Sequence, residues 1–199
     1  MAPTLMKLAG RDLATIRPAL ALAPEADAVV AGCTDAAEAL ARLEAAGLAS
    51  AAGKLAAHAL PKREAVWWAC MCAAHTAPPD LPEADRTARE MAEAWVRRQT
   101  DEVRREAMEQ ARRTGFRSPE AWAAVGAFWS GDSMAPVGQA PVPPAAHLPG
   151  TAVAGAIALA AVRGDPIRQP ARLARFLQSA RDIATGGPGR LPAEQNGDT

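Results

Sequence analysis

From Thr34 onward the apolar positions of this chain recur at three- and four-residue intervals, the period of an amphipathic helix, and polar punctuation cuts them into short segments. Thr34 or Asp35 is placed to cap a helix in which Ala36, Leu40 and Leu43 share a face, and Gly47 ends it. Leu48–Ala59 repeats the spacing through Leu48, Ala52 and Leu55. It stops at Leu60-Pro61, because a residue before proline is pushed out of the α region. A link this short predicts an antiparallel pair. Lys62–His75 follows as a helix opened by Pro61 and closed by the prolines of APPDLPEAD. Residues 82–113 keep the helical period throughout, but Thr100 with Asp101 and Glu102 reads as a fresh start, a capping hydroxyl before an acidic first turn. The first piece aligns Ala84, Ala88, Met91 and Trp95, and the second aligns Val103, Ala107 and Ala111. Ser118-Pro119-Glu120 opens a helix carrying Trp122, Val125, Phe128 and Trp129, ended by Gly131. Thr151–Val162 is apolar throughout, Asp165-Pro166 marks another start, and Ala171–Ala184 is amphipathic through Leu173, Phe176, Leu177 and Ile183.

The pattern predicts an all-α protein of about eight short helices in successive antiparallel hairpins. Two arrangements fit it, an α-helical repeat-like stack or a compact orthogonal bundle, and no consensus recurs at a fixed period to select the stack. Residues 1–187 read as a single helical domain. Within it, residues 1–33 are weakly patterned: Asp12–Leu22 forms a helix bent by Pro18, and Pro24-Glu25 stop the run. Residues 131–149 are proline-rich and predict an extended segment that wraps the helices. Residues 188–199, with LPAEQNGDT at the end, read as a disordered tail.

Composition narrows the class. Of 199 residues, 49% are hydrophobic but only 4% aromatic, with no tyrosine, so alanine dominates the apolar set and favours close helix packing over sheet. Lysine plus arginine equals aspartate plus glutamate at 22 each, which leaves no overall field to draw the molecule to nucleic acid or an anionic membrane. Thr151–Val162 falls short of the roughly 20 residues that span a bilayer, and Ala19–Ala23 is too short for a signal-peptide core. The odd count of three cysteines, in a chain too large to need disulfide staples, predicts reduced thiols in the cytoplasm.

Reactive chemistry is hard to assemble from what is left. Cys70, Cys72 and His75 invite a metal, yet Cys70 and Cys72 point roughly 200° apart on one helix, so no metal site and no cofactor is expected. Ser130-Gly131-Asp132-Ser133 joins hydroxyls to a carboxylate without a nucleophile elbow, and GGPGR lacks the lysine and hydroxyl of a phosphate loop. Arg168, Arg172 and Arg175 share a face that reads as solvated. The richest stretch is LPKREAVWWA, Leu60–Ala69. Trp67 and Trp68 lie about 100° apart around the helix, so one enters the core while the other reaches an edge, and Arg63 and Glu64 each stand four residues before an indole.

LPKREAVWWA followed by CMCA, then AEAWV, AAVGAFWSGDSMAPVGQAPVPPAAHL and AVAGAIALAAV, resembles an uncharacterised family of bacterial helical proteins over residues 40–184. The signatures of that family are LPxREAVWWA and an AFWSGGS-like segment, from which Asp132 departs here. The resemblance implies a cytosolic helical protein, some of whose relatives are encoded beside contractile, type VI-like secretion components. It raises the expectation of an accessory or adaptor role. Together these features predict a non-enzymatic adaptor or chaperone-like protein that meets a protein partner at Arg63, Glu64, Trp68, Trp129 and Asp132, with tryptophan and arginine as anchors. Two alternatives stand beside it: a small-molecule-binding protein or atypical enzyme with an interhelical pocket using Glu64, Asp132 or His75, and a structural subunit that forms a homo-oligomer.

Overall fold

Side-chain caps start four of the α-helices at residues that the polar punctuation marks. In the computed structural model, which describes residues 5–194, Asp12 caps α1 (Leu13–Leu20) by accepting from the Ala14 amide, and Asp35 caps α3 (Ala36–Ala45) by accepting from Ala37 and Glu38. The two starts are tied together, since Leu13 N donates to Thr34 O at 3.0 Å and Ala36 N to Arg11 O at 3.1 Å. Between them lies a helix that the sequence pattern reads as a stop, α2 (Pro24–Val29). Proline's preset φ and missing N–H suit the first helical position, so Pro24 begins this helix instead of ending the one before it.

Gly47, at φ 73°, turns α3 into α4 (Ala49–Ala59), and Leu60 in extended conformation leads over Pro61 into α5 (Lys62–His75). α6 (Glu83–Arg98) and α7 (Asp101–Arg113) part at Gln99 and Thr100. Gln99 is left-handed at φ 51°, and the Thr100 hydroxyl accepts from Val103 N. α8 (Pro119–Trp129) starts under the Ser118 hydroxyl. α9 (Leu148–Val162) begins three residues earlier than the apolar run, because Pro149 fits the first turn. A 3-10 turn (Pro166–Arg168) capped by Asp165 leads into α10 (Gln169–Ala184). The described residues thus form ten α-helices rather than eight, and contain no strand.

Packing decides between the two expected arrangements. α8 and α9 lie at the centre. α8 packs on α5, α6, α7 and α9, while α9 packs on α4, α5, α8 and α10. A stack confines contacts to neighbours in sequence, so these crossings define a compact bundle. Small residues allow the close approach: a Cβ at Gly126 would lie 3.3 Å from Val153 and 3.5 Å from Val66, where α5, α8 and α9 meet. Because alanine contributes little volume, a few large groups fill the centre, chiefly Trp68, Phe176 and the leucines at 8, 13, 20, 40, 43 and 55. Glu120 is also fully buried; it pairs with Arg163, which donates to Ala73 O at 3.3 Å and so joins α8, α9 and α5.

Two segments differ from expectation. The proline-rich stretch is held at its root and exposed along its middle. Its root is pinched where Ser133 Oγ accepts from Ala135 N at 3.1 Å and Val142 N at 3.0 Å, and residues 136–143 are exposed. Residues 188–194, expected to be disordered, are bound as a strap across α5 and α10. Ser179 Oγ donates to Gly189 O at 2.5 Å, Glu194 N donates to His75 O at 2.8 Å, and the Glu194 carboxylate takes Arg172 at 2.7 Å and Arg168 at 3.2 Å. Leu191 packs on the core. Backbone bonds and one buried ion pair give this polar stretch the partners that composition alone does not reveal. Residues 195–199 of the expected tail lie outside the described residues.

Candidate functional site

The N-terminus of α5 carries the predicted cluster, and neighbouring helices fix each side chain. Arg63 Nε donates to Val96 O at 2.8 Å, which sets a cation on the negative end of α6. Glu64, in the first turn of α5, receives Lys7 Nζ at 3.1 Å and lies 3.6 Å from Arg63. One turn further, the half-buried Trp67 donates its indole N–H to Pro188 O at 2.7 Å, so the strap forms the opposite wall. The result is an open cleft of about 440 Å³. Lys7, Arg63, Arg97 and Arg190 face a single carboxylate, Glu64, among its lining residues.

The tryptophan is not the one expected. Trp68 is 0% exposed and its indole N–H donates to Phe176 O at 2.8 Å, so it anchors α5 to α10 in the core. The 100° step between adjacent helical residues decides which indole goes inside, and the bundle turns Trp68 inward and Trp67 outward. Trp95 is also core. Trp129 is half-buried on α8 and meets Trp122 edge to face, with ring centroids 6.4 Å apart at 66°. Asp132 is exposed on the turn after α8. Of the five predicted residues, Arg63 and Glu64 therefore share a cleft, Trp68 is withdrawn from it, and Trp129 and Asp132 belong to the end of α8.

That end is organised by an arginine that the sequence pattern does not single out. Arg104, 3% exposed, donates to Phe128 O at 3.2 Å and to Ser133 O at 2.7 Å, lies 5.1 Å from the Phe128 ring centroid, and pairs with Asp101. A Cβ at Gly131 would overlap the Arg104 side chain, so the glycine in FWSGDS leaves space for this clamp. The i,i+3 spacing of Asp101 and Arg104 is visible in the sequence, but the pairing with a turn 24–29 residues away is not. The hydroxyls of the turn are occupied by backbone: Ser130 donates to Gly126 O at 2.7 Å, and Ser133 accepts from Ala135 and Val142.

The other candidates disperse. His75 is 1% exposed under the strap, with Nδ1 against Pro192 O and its ring edge-on to Phe176. Eleven residues of α5 separate it from Glu64, about 16 Å along the helix axis. Cys70 and Cys72 are fully buried, and burial pushes both thiols above the ordinary cysteine range. Among the described residues, no three His, Cys, Asp or Glu side chains converge as metal ligands. Arg172, read as part of a solvated face, is 5% exposed and held by Glu194 and by the carbonyls of Ala161 and Arg163. No helix among the described residues is long and apolar enough to cross a membrane. No curated protein and no solved structure matches the chain. Residues 39–184, from within α3 to the last residue of α10, match the model of the Family of unknown function (DUF6931), and the chain belongs to that family.

Proposed function

We propose that this protein is a non-enzymatic adaptor that receives an acidic segment of a partner protein in the cleft between the α5 N-terminus, the α6 C-terminus and the strap. The observation that carries the reading is the pairing of a half-buried Trp67 with four basic side chains and one acid around an open cleft. Tryptophan and arginine are the residues that most often supply binding energy at protein interfaces, and a cationic rim speeds encounter with an acidic partner. Trp67 already holds one stretch of backbone, since its N–H donates to Pro188 O. The adaptor reading thus keeps Arg63 and Glu64, replaces Trp68 by Trp67, and adds Arg97. Trp129 and Asp132 have no part in this cleft. Service to a contractile, type VI-like secretion apparatus in the cytoplasm is the role that the family resemblance adds to this proposal.

The test is affinity capture from the native host with the wild type and with Arg63→Glu/Arg97→Glu, both exposed positions. A protein recovered by the wild type, released as salt is raised and lost by the double variant supports the docking reading, and its identity tests the secretion role. Recovery of the same proteins by both forms refutes it.

A further inference from the structure

A second pocket, of about 690 Å³, opens where α1, α4, α5 and α9 meet. Its charged lining is of one sign. Arg11, just before α1, and Lys62, the first residue of α5, bring two exposed cations; His58 in the last turn of α4 and His147, the N-cap residue of α9, bring two imidazoles. No carboxylate is among its described lining residues. Much of the remaining wall is apolar, formed by Ile16, Leu60 and Pro149 with several alanines.

The fold sets His58 against α9 and leaves the His147 ring exposed. His147 makes no side-chain capping bond to α9. His58 fits beside α9 only because residue 150 is glycine, for a Cβ there would lie 2.5 Å from His58 Nδ1. A concave site of several hundred Å³ with apolar walls and a few convergent polar groups has the form of a ligand site, and like-charged polar groups specify the charge of what enters. We infer that this pocket binds a small organic phosphate, its dianionic head between Arg11, Lys62 and the two imidazoles and its apolar body against Ile16, Leu60 and Pro149. Two cations and two protonatable rings match two negative charges better than one. This assignment is independent of the docking cleft, which has other walls.

The charge state of His58 provides a readout. Burial, then His147 and Lys54, hold its imidazole below the ordinary histidine range, and the charged groups that line the pocket beside it are Arg11 and Lys62. A bound anion reverses that balance and raises the histidine midpoint. While the phosphate stays dianionic, above about pH 6, binding therefore tightens as pH falls toward the His58 titration.

The experiment is NMR of the three histidine rings of the full chain, titrated with phenyl phosphate, with benzyl alcohol and inorganic phosphate as controls. Phenyl phosphate is expected to shift the His58 and His147 resonances saturably, to raise the His58 midpoint by about one pH unit, and to leave the His75 resonances unmoved under the strap. Arg11→Ser/Lys62→Ser, which alters two exposed positions, is expected to weaken binding at least about tenfold. Uniform movement of all three rings, equal shifts with benzyl alcohol, equal affinity for inorganic phosphate, or unchanged affinity in the double variant would each overturn the assignment.

Discussion

Replacing Trp68 by alanine removes the largest fully buried side chain of the bundle and the N–H that α5 directs to the Phe176 carbonyl. The loss has two parts: truncating a buried aromatic costs about 3–5 kcal/mol, and losing the indole hydrogen bond to the α10 backbone adds about 1 kcal/mol. Trp67, half-buried one position away, loses only partial burial and a bond to the strap at Pro188, about 1–2 kcal/mol. At about 2–4 °C per kcal/mol for a chain of this size, Trp68→Ala is expected to lower Tm by about 8–24 °C and Trp67→Ala by about 2–8 °C. Trp68→Phe, which keeps most of the apolar volume but not the N–H, should fall between the two. Thermal and urea unfolding followed by far-UV circular dichroism measure all three against the wild type. Equal destabilisation by the two alanine variants, or a loss below about 2 kcal/mol for Trp68→Ala, would refute the assignment of Trp68 to the core and of Trp67 to the cleft wall.

Three further outcomes test other parts of the structure. The hydrogen bond from Arg172, reinforced by the charges of Arg172 and Arg168, holds the Glu194 carboxyl below the ordinary glutamate range; a lowered folded value stabilises above the unfolded pKa and is lost as pH falls through the folded one. Glu194→Gln should therefore destabilise by about 1–3 kcal/mol near neutral pH, and the difference from the wild type should shrink as pH falls from about 5 toward about 3, as read from denaturant midpoints. Gly131→Ala should cost about 1–3 kcal/mol in the wild type through overlap with Arg104 but little in an Arg104→Ala background, so a double-mutant cycle by thermal unfolding is expected to be strongly non-additive. With Cys70 and Cys72 buried and Cys33 partly exposed, a thiol reagent at neutral pH should modify one cysteine of the native chain and three after unfolding, counted by mass spectrometry.

What the sequence makes legible is local. Asp35, Thr100 and Ser118 lie within three residues of the amides they cap, and a periodic face such as that of Ala36, Leu40 and Leu43 needs only one helix to be seen. The boundaries of α5 and the division of residues 83–113 into α6 and α7 are therefore readable from neighbours in the chain. Proline is the ambiguous signal. The same residue type closes one helix at Leu60-Pro61 and opens another at Pro24, because a proline offends only the turn before it.

The candidate site depends on contacts with no local trace. Trp67 meets Pro188 across 121 residues, His75 meets Pro192 across 117, and Trp68 meets Phe176 across 108. Helical periodicity places the two indoles on different faces but holds no information about which face α10 covers, so the choice between Trp67 and Trp68 is open until the bundle closes. The strap is obscured for a related reason. Its sequence is polar and rich in glycine and proline, which marks a segment unable to form its own core, yet it needs none: Asp182, Ser179 and Arg172 receive its backbone and its carboxylate, while Trp67 and His75 take two of its carbonyls. In an alanine-rich bundle the few large or charged side chains carry most of the specificity of packing, and here several of them are committed to holding that segment. The cleft is thus a consequence of how the strap lies against α5, and a partner that enters it meets a wall made by a stretch whose composition alone gives no reason to expect a fixed surface.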